Sequence, residues 1–143
     1  SHIDRKVSEH ELSVELADDL LMAKMDVRLI VQVIINIVNN AIKYTPEGSH
    51  ICLSAQKEKK MVRIRIADDG PGISDEAKLH LFDMFYTADI GKADSRRGLG
   101  LGLSLCKSIV DAHGGEISVS DNKPHGAVFS FTLPLEEVNF DHV

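Results

Sequence analysis

The chain has 143 residues, 43% apolar and 27% charged, with a formal net charge of −6. That length can bury one hydrophobic core, and the composition is that of an ordinary soluble globular domain. The acid excess argues against a basic nucleic-acid-binding face, and no apolar run reaches the length of a membrane span.

Residues 1–10 are polar and read as a lead-in. Leu12 to Leu16 alternates like a short strand, Ala17-Asp18-Asp19 turns the chain, and Leu20 to Met25 reads as a second extended piece. Leu29 to Pro46 has the apolar period of a long helix, with Val33, Ile34, Ile37, Val38 and Ala41 on one arc. Asp26 stands where an N-cap belongs, and Thr45-Pro46-Glu47-Gly48 supplies the stop. His50 to Ala55 and Met61 to Ala67 flank a charged turn and predict a β-hairpin, with Arg63 and Arg65 marking a wet face. Asp68 to Gly72 is a glycine turn, and Ser74 can cap a short helix that begins with Asp75 and Glu76. Phe82 and Phe85 lie near its end. Thr87 to Gly98 has little apolar period and reads as a mobile loop. Leu101 to Ala112 predicts a second long helix with Leu101, Leu105, Ile109 and Ala112 on one stripe, ended by His113-Gly114-Gly115. His113 stands where a cation suits the helix dipole. Glu116 to Ser120 and Ala127 to Leu133 close the fold as a strand pair, followed by an acidic tail. The expected class is α+β, a two-layer α/β sandwich with a mixed, mostly antiparallel sheet and about three helices on one face. Cys52 and Cys106 have apolar neighbours and read as reduced core thiols, while the seven histidines show no metal-ligand spacing.

Three stretches carry chemistry. Asparagine is a poor helix-interior residue, yet Asn36, Asn39 and Asn40 crowd one helix. Asn36 and Asn40, one turn apart, can aim two amide oxygens at one point, with Lys43 on the same side. Two neutral oxygens beside an ammonium suit a Mg²⁺ ion bridged to phosphates; a solvated helix face is the plainer alternative. Asp68-Asp69-Gly70-Pro71-Gly72 puts a carboxylate at a strand end beside a turn that lets a ligand approach the main chain. Such an acceptor can take an exocyclic amine, a bond worth roughly 1.5–3 kcal/mol; the alternative is a plain Asx turn. Arg96-Arg97-Gly98-Leu99-Gly100-Leu101-Gly102-Leu103 opens the second long helix, where free N–H groups and the positive dipole end favour phosphate. No Walker loop is present, and a polar loop rather than a strand precedes the glycines, which sets aside the dinucleotide fingerprint.

In this order and spacing the boxes resemble the ATP-binding catalytic (Bergerat-fold) domain of bacterial sensor histidine kinases, in the wider ATPase group of gyrase, Hsp90 and MutL. The asparagine box is Asn36 to Tyr44, the first glycine box Asp68 to Gly72, the phenylalanine box Leu81 to Phe85, and the second glycine box Gly98 to Leu103. His113-Gly114-Gly115 and Phe129 to Pro134 complete the pattern. The likeness covers about residues 12–134, and the run from Asn36 to Gly126 looks most like the potassium-responsive, KdpD-type sensors. The resemblance implies a catalytic domain over 11–135, with a lead-in at 1–10 and a tail at 136–143. It implies ATP and Mg²⁺ as ligands, with Asn36 and Asn40 on the metal, Lys43 on phosphate and Tyr44 lining the cleft. Asp68 would accept from the adenine amine, Gly70 and Gly72 would shape the pocket, and Ile73 would pack on the base. Thr87 to Arg97 would be a lid, Arg96 and Arg97 phosphate stabilisers, and Gly98, Leu99, Gly100, Leu101, Gly102 and Leu103 the phosphate-binding backbone. Two features depart from the pattern: Gly126-Ala127-Val128 lacks a hydroxyl that many relatives carry, and Arg96-Arg97 replace small or polar lid residues.

His10-Glu11-Leu12 begins like a phosphoacceptor box, but Glu15 stands where a proline belongs, and the segment before Leu29 is too short for two bundle helices. The implied function is therefore the Mg²⁺·ATP-binding half of a two-component kinase. It would donate the γ-phosphoryl group to a histidine on a separate dimerisation domain, and the fragment alone should lack autokinase activity. The implied partners are that domain and a response regulator, with no nucleic acid and no membrane contact by this domain. The implied whole is a membrane-bound homodimer whose catalytic domain is cytoplasmic. The competing expectations are a nucleotide-binding regulatory module without transfer and a serine kinase of the anti-sigma type.

Overall fold

Asp26 accepts from the main-chain nitrogens of Arg28 and Leu29, and that cap starts helix α1 at Val27–Tyr44, two residues before the expected start. Thr45, in extended conformation, ends it, and its hydroxyl donates back to Ala41 O at 2.7 Å. The computed structural model describes residues 11–16, 26–84 and 102–135, with 11–16 and Val27 as backbone only. The extended piece at Leu20 to Met25, the loop from Thr87 to Gly98, Phe85 and Arg96 to Leu101 lie outside the described residues.

The remaining elements are β1 Glu11–Leu16, β2 His50–Glu58, β3 Met61–Asp68, α2 Asp75–His80, α3 Gly102–Ala112, β4 Ile117–Asp121 and β5 Ala127–Pro134. The five strands form one sheet in the order β1-β2-β3-β5-β4. β1 runs parallel to β2, with Leu12 beside Ile51, and every other pair is antiparallel. The class is therefore the expected α+β sandwich with a mixed, mostly antiparallel sheet. Ser74 caps α2 through its hydroxyl, which accepts from Ala77 N at 3.1 Å.

One face of the sheet meets α1 and α3. Ile30, Val33, Ile37, Val38 and Ala41 from α1 join Val62 and Ile66 of β3, Ile109 and Val110 of α3, and Phe129, Phe131 and Leu133 of β5. Burying each large side chain contributes about 1.5–3 kcal/mol. Phe82 reaches the same layer, edge-on to Phe129 with ring centroids 6.3 Å apart. The opposite face is polar, as the alternating arginines foretold. Arg63 donates to both Glu58 oxygens at 2.7 and 2.8 Å and to Ser130 Oγ at 3.1 Å.

The stripe expected on α3 is rotated. Cys106, Ile109 and Val110 are buried and Leu103 packs against the core, while Leu105 is 41% exposed and Ala112 lies at the surface. Leu-Gly-Leu-Ser-Leu-Cys places apolar groups on several faces, so the period alone does not choose one. Contact with α1 does: the Cys106 thiol donates to Val33 O at 3.7 Å.

Candidate functional site

Asp68 ends β3 and is 6% exposed. Its Oδ1 accepts from Gly70 N at 3.0 Å and from Ala127 N at 3.2 Å. Its other oxygen, Oδ2, makes no hydrogen bond to any described residue. Burial pushes this carboxyl above the ordinary aspartate range, the Gly70 and Ala127 N–H groups draw it partway back, and the Asp69 charge adds to the rise. A buried carboxylate with one oxygen spoken for and one open is equipped to accept from a ligand. Asp69 turns the other way, and its carboxylate accepts from His50 N at 2.7 Å. Gly70 is buried against the end of α1: a Cβ there would lie 2.6 Å from Thr45 Cγ2. The turn that follows Asp68 is thereby pressed onto the end of the asparagine-bearing helix. Gly72, with φ of +85°, continues the turn, and Ile73 packs against the core.

The two long helices lie side by side and antiparallel. Asp26 N donates to His113 Nε2 at 3.0 Å at one end, and Val33 meets Cys106 further along. Continued by one turn, that register brings Asn36 level with Leu103, so the C-terminal half of α1 adjoins the start of α3. Asn36 and Asn40 are both half-buried. Burial pushes the Cys106 thiol up to about 11, and the neighbouring Asn36 side chain partly offsets the rise. Lys43 Nζ lies 5.1 Å from the centroid of the Tyr44 ring, both at the exposed end of α1. His113 is not the cation its helix-end position suggested. Ile109 O, 2.8 Å from Nδ1, can only accept, and Asp26 N–H can only donate, so the ring is neutral with its proton on Nδ1.

A strand-end acid, two facing helices and this sheet order together define a known architecture. Residues 25–137 match the family described as Histidine kinase-, DNA gyrase B-, and HSP90-like ATPase. The chain belongs to this ATPase family. Among curated relatives it is 46% identical over 127 residues to the sensor protein KdpD of Clostridium acetobutylicum, covering 89% of this chain and 14% of that protein. Among solved structures, the catalytic domain of histidine kinase ThkA matches with a TM-score of 0.79 at 33% identity, over 93% of this chain and 86% of that one. The same kinase in complex with response regulator TrrA matches at 0.76 and 31%, over 94% and 37%. Full-length ShkA in complex with AMPPNP matches at 0.80 and 26%, over 96% and 28%. The homologues are thus the ATP-binding catalytic domains of sensor histidine kinases, and the chain spans about a seventh of the KdpD relative.

Of the candidate residues, the structure brings Asp68, Gly70, Gly72 and Ile73 together beside the end of α1, and it sets Asn36 across from the first turn of α3. Gly102 and Leu103 are described, and Gly102 has open space where a Cβ would stand. Arg96, Arg97, Gly98, Leu99, Gly100 and Leu101 lie outside the described residues. Asn36 and Asn40 are half-buried amides one helical turn apart, and their neutral oxygens are the kind of donor a hard divalent cation takes. Sequence reasoning marked Gly126-Ala127-Val128 only for a missing hydroxyl and gave Asn122 and His125 no role. Asn122 Nδ2 donates to Asp68 O at 2.8 Å, and His125 Nδ1 faces Gly70 O at 3.1 Å. The hydroxyl-free stretch at Gly126-Ala127 meets Asp68 through the Ala127 N–H.

Proposed function

We propose that this chain binds Mg²⁺·ATP and presents the γ-phosphoryl group to a histidine on a separate dimerisation domain. The observation that carries the reading is the buried Asp68 carboxylate with one oxygen engaged and the other open, in a chain of the histidine kinase ATPase family. Asp68 accepts from the adenine amine, Gly70 and Gly72 let the base approach, and Ile73 packs on it. Asn36 and Asn40 would hold Mg²⁺, which would supply neutralisation of phosphate charge. Lys43 contacts phosphate and Tyr44 lines the cleft, while Arg96, Arg97 and the backbone from Gly98 to Leu103 hold the remaining phosphates at the start of α3. This chain supplies position and charge; the attacking nitrogen belongs to the other domain.

On this reading residues 11–135 are the catalytic domain, 1–10 a lead-in and 136–143 a tail. The whole protein is a membrane-bound homodimeric sensor with its catalytic domain in the cytoplasm and a response regulator as partner. The likeness to KdpD supports a sensor of that type, and the ThkA structure with TrrA supports the partner class. Within the described residues no helix is long and apolar enough to cross a membrane.

Two measurements test the proposal. The first is titration with ATP, with and without Mg²⁺. The second is incubation with labelled ATP and an added two-helix phosphoacceptor domain. An acid-labile, base-stable label on that domain is expected. Acid-stable label would mean a serine kinase, and binding that never yields label with any acceptor would mean a regulatory nucleotide module.

A further inference from the structure

The segment from Asn122 to Ala127 joins β4 to β5 and hydrogen-bonds the 68–72 turn at Asp68 and Gly70. Asn122 Nδ2 holds Asp68 O, which lies just past the last β3–β5 pair, Ala67 with Val128. The side chain thus replaces the next ladder bond. Ala127 N holds the same residue by Oδ1, and His125 Nδ1 donates to Gly70 O. Gly126, with φ of +114°, lies flat on the strand end: a Cβ there would stand 1.9 Å from Asp68 O and 2.8 Å from its carbonyl carbon. The segment is itself braced. Asn122 Oδ1 accepts from Lys123 N at 2.9 Å, Asn122 N donates to Gly126 O at 3.0 Å, and Lys78 ties Asp121 to α2.

These contacts hold Asp68 at its main-chain oxygen and at Oδ1. Its main chain is held by Asn122 and one carboxylate oxygen by Gly70 and Ala127, so the direction of the open oxygen is set jointly by its own turn and by the loop that leads into the neighbouring strand. We propose that Asn122 and His125 are positioning residues for base recognition, acting through Asp68 and Gly70 to aim the acceptor that distinguishes adenine from guanine. The inference rests on the adenine reading of Asp68 given above. Neither side chain need touch the nucleotide. Without Asn122 the loop can lift and carry the Ala127 N–H away, and the carboxylate, then held through Oδ1 by Gly70 N alone, can turn about that bond. ATP loses a directed bond that GTP never makes.

The test is titration of the 143-residue chain with ATP and with GTP, in Mg²⁺, for Asn122→Ala, His125→Phe, His125→Asn and, as reference, Asp68→Asn. Asn122→Ala is expected to lower the ATP-to-GTP affinity ratio about tenfold, the effect of one lost hydrogen bond of about 1.4 kcal/mol. His125→Phe should lower it several-fold, and His125→Asn should restore it, because its amide nitrogen stands near the place of Nδ1. His125 is exposed, so its variants fold even if Asn122→Ala does not. If Asp68→Asn shifts the ratio while Asn122→Ala and His125→Phe leave it at the wild-type value, the positioning role is wrong and the adenine reading survives. If Asp68→Asn also leaves the ratio unchanged, the adenine reading falls. Equal losses for ATP and GTP in the loop variants would mean a structural role alone and overturn the proposal.

Discussion

Replacing Asp68 by asparagine removes one charge and almost no volume, and the structure dictates which way the new amide faces. Oδ1 accepts from two main-chain N–H groups, those of Gly70 and Ala127. The asparagine oxygen must take that place, because the reversed amide would set its NH₂ against two donors. The NH₂ therefore stands where Oδ2 was. An adenine amine now meets a donor instead of a carboxylate, and a charge-assisted hydrogen bond of roughly 1.5–3 kcal/mol is lost. At about 1.4 kcal/mol per decade, ATP affinity should fall about 10- to 100-fold. Guanine carries a carbonyl oxygen at the ring position where adenine carries its amine, so GTP should hold its affinity or gain. Folding gives an internal control. Burial of the charged form disfavours Asp68 in the native state, and a neutral amide escapes that cost, so the unfolding midpoint should stay or rise. Calorimetric titration with both nucleotides, paired with thermal unfolding, reads all of this. A variant that binds ATP as tightly as the wild type, or that loses ATP and GTP in equal measure, would falsify the assignment.

Other outcomes follow from the same geometry. Asn40→Ala should weaken ATP binding about tenfold or more in Mg²⁺ and leave metal-free binding unchanged, because it removes one of only a few protein ligands; titration with and without the metal checks it, and an equal loss in both conditions counts against a metal role. The raised Asp68 carboxyl gives stability a pH slope of known sign. The native state binds this proton more tightly than the unfolded chain, so the Asp68 contribution falls as pH rises from the ordinary value of 3.8 to the native one, then levels off. Urea unfolding of wild type and Asp68→Asn across that window should show the variant gaining relative stability with rising pH; a gap that narrows instead would reverse the sign. Cys106, fully buried with its thiol pushed up to about 11, should resist alkylation at neutral pH until the chain unfolds, while the half-buried Cys52 reacts first. Mass spectrometry of a time course with iodoacetamide would show Cys106 labelled early if that burial is wrong.

What could be read before folding was local. The Asp26 cap, the Ser74 cap and the apolar arc of α1 depend on neighbours within a turn or two, and each stands where the pattern put it. The alternating Arg63 and Arg65 announced a polar sheet face for the same reason. The α3 stripe was misread because Leu103, Leu105, Cys106, Ile109 and Val110 leave nearly every direction apolar. A periodicity with too many candidates carries little information, and the choice fell to Val33 on another helix. His113 shows the same limit in electrostatics. Its position at a helix end argued for a cation, but the N–H of Asp26, distant in sequence, needs an acceptor and removes the proton from Nε2.

The candidate site divides along the same line. Asp68, Gly70 and the asparagine pair announce themselves because each is an odd choice locally: an acid at a strand end, a glycine where the chain meets Thr45, amides in a helix interior. Asn122 and His125 are unremarkable in a turn, where asparagine, glycine and proline are the expected chemistry, and Gly126 stands out only for the hydroxyl that its stretch lacks. Their role exists only because β5 lies beside β3, which brings a strand-joining loop onto the end of the strand that carries Asp68. A glycine that looks like turn punctuation is then required by an oxygen 1.9 Å from where its Cβ would be. Gly126→Ala should therefore cost far more than a turn substitution. It combines backbone strain of about 1–3 kcal/mol at positive φ with displacement of the two bonds that hold Asp68, each worth about 1 kcal/mol. Chemical denaturation should find about 3–5 kcal/mol lost, and a variant as stable as wild type would show that the loop does not rest on Asp68.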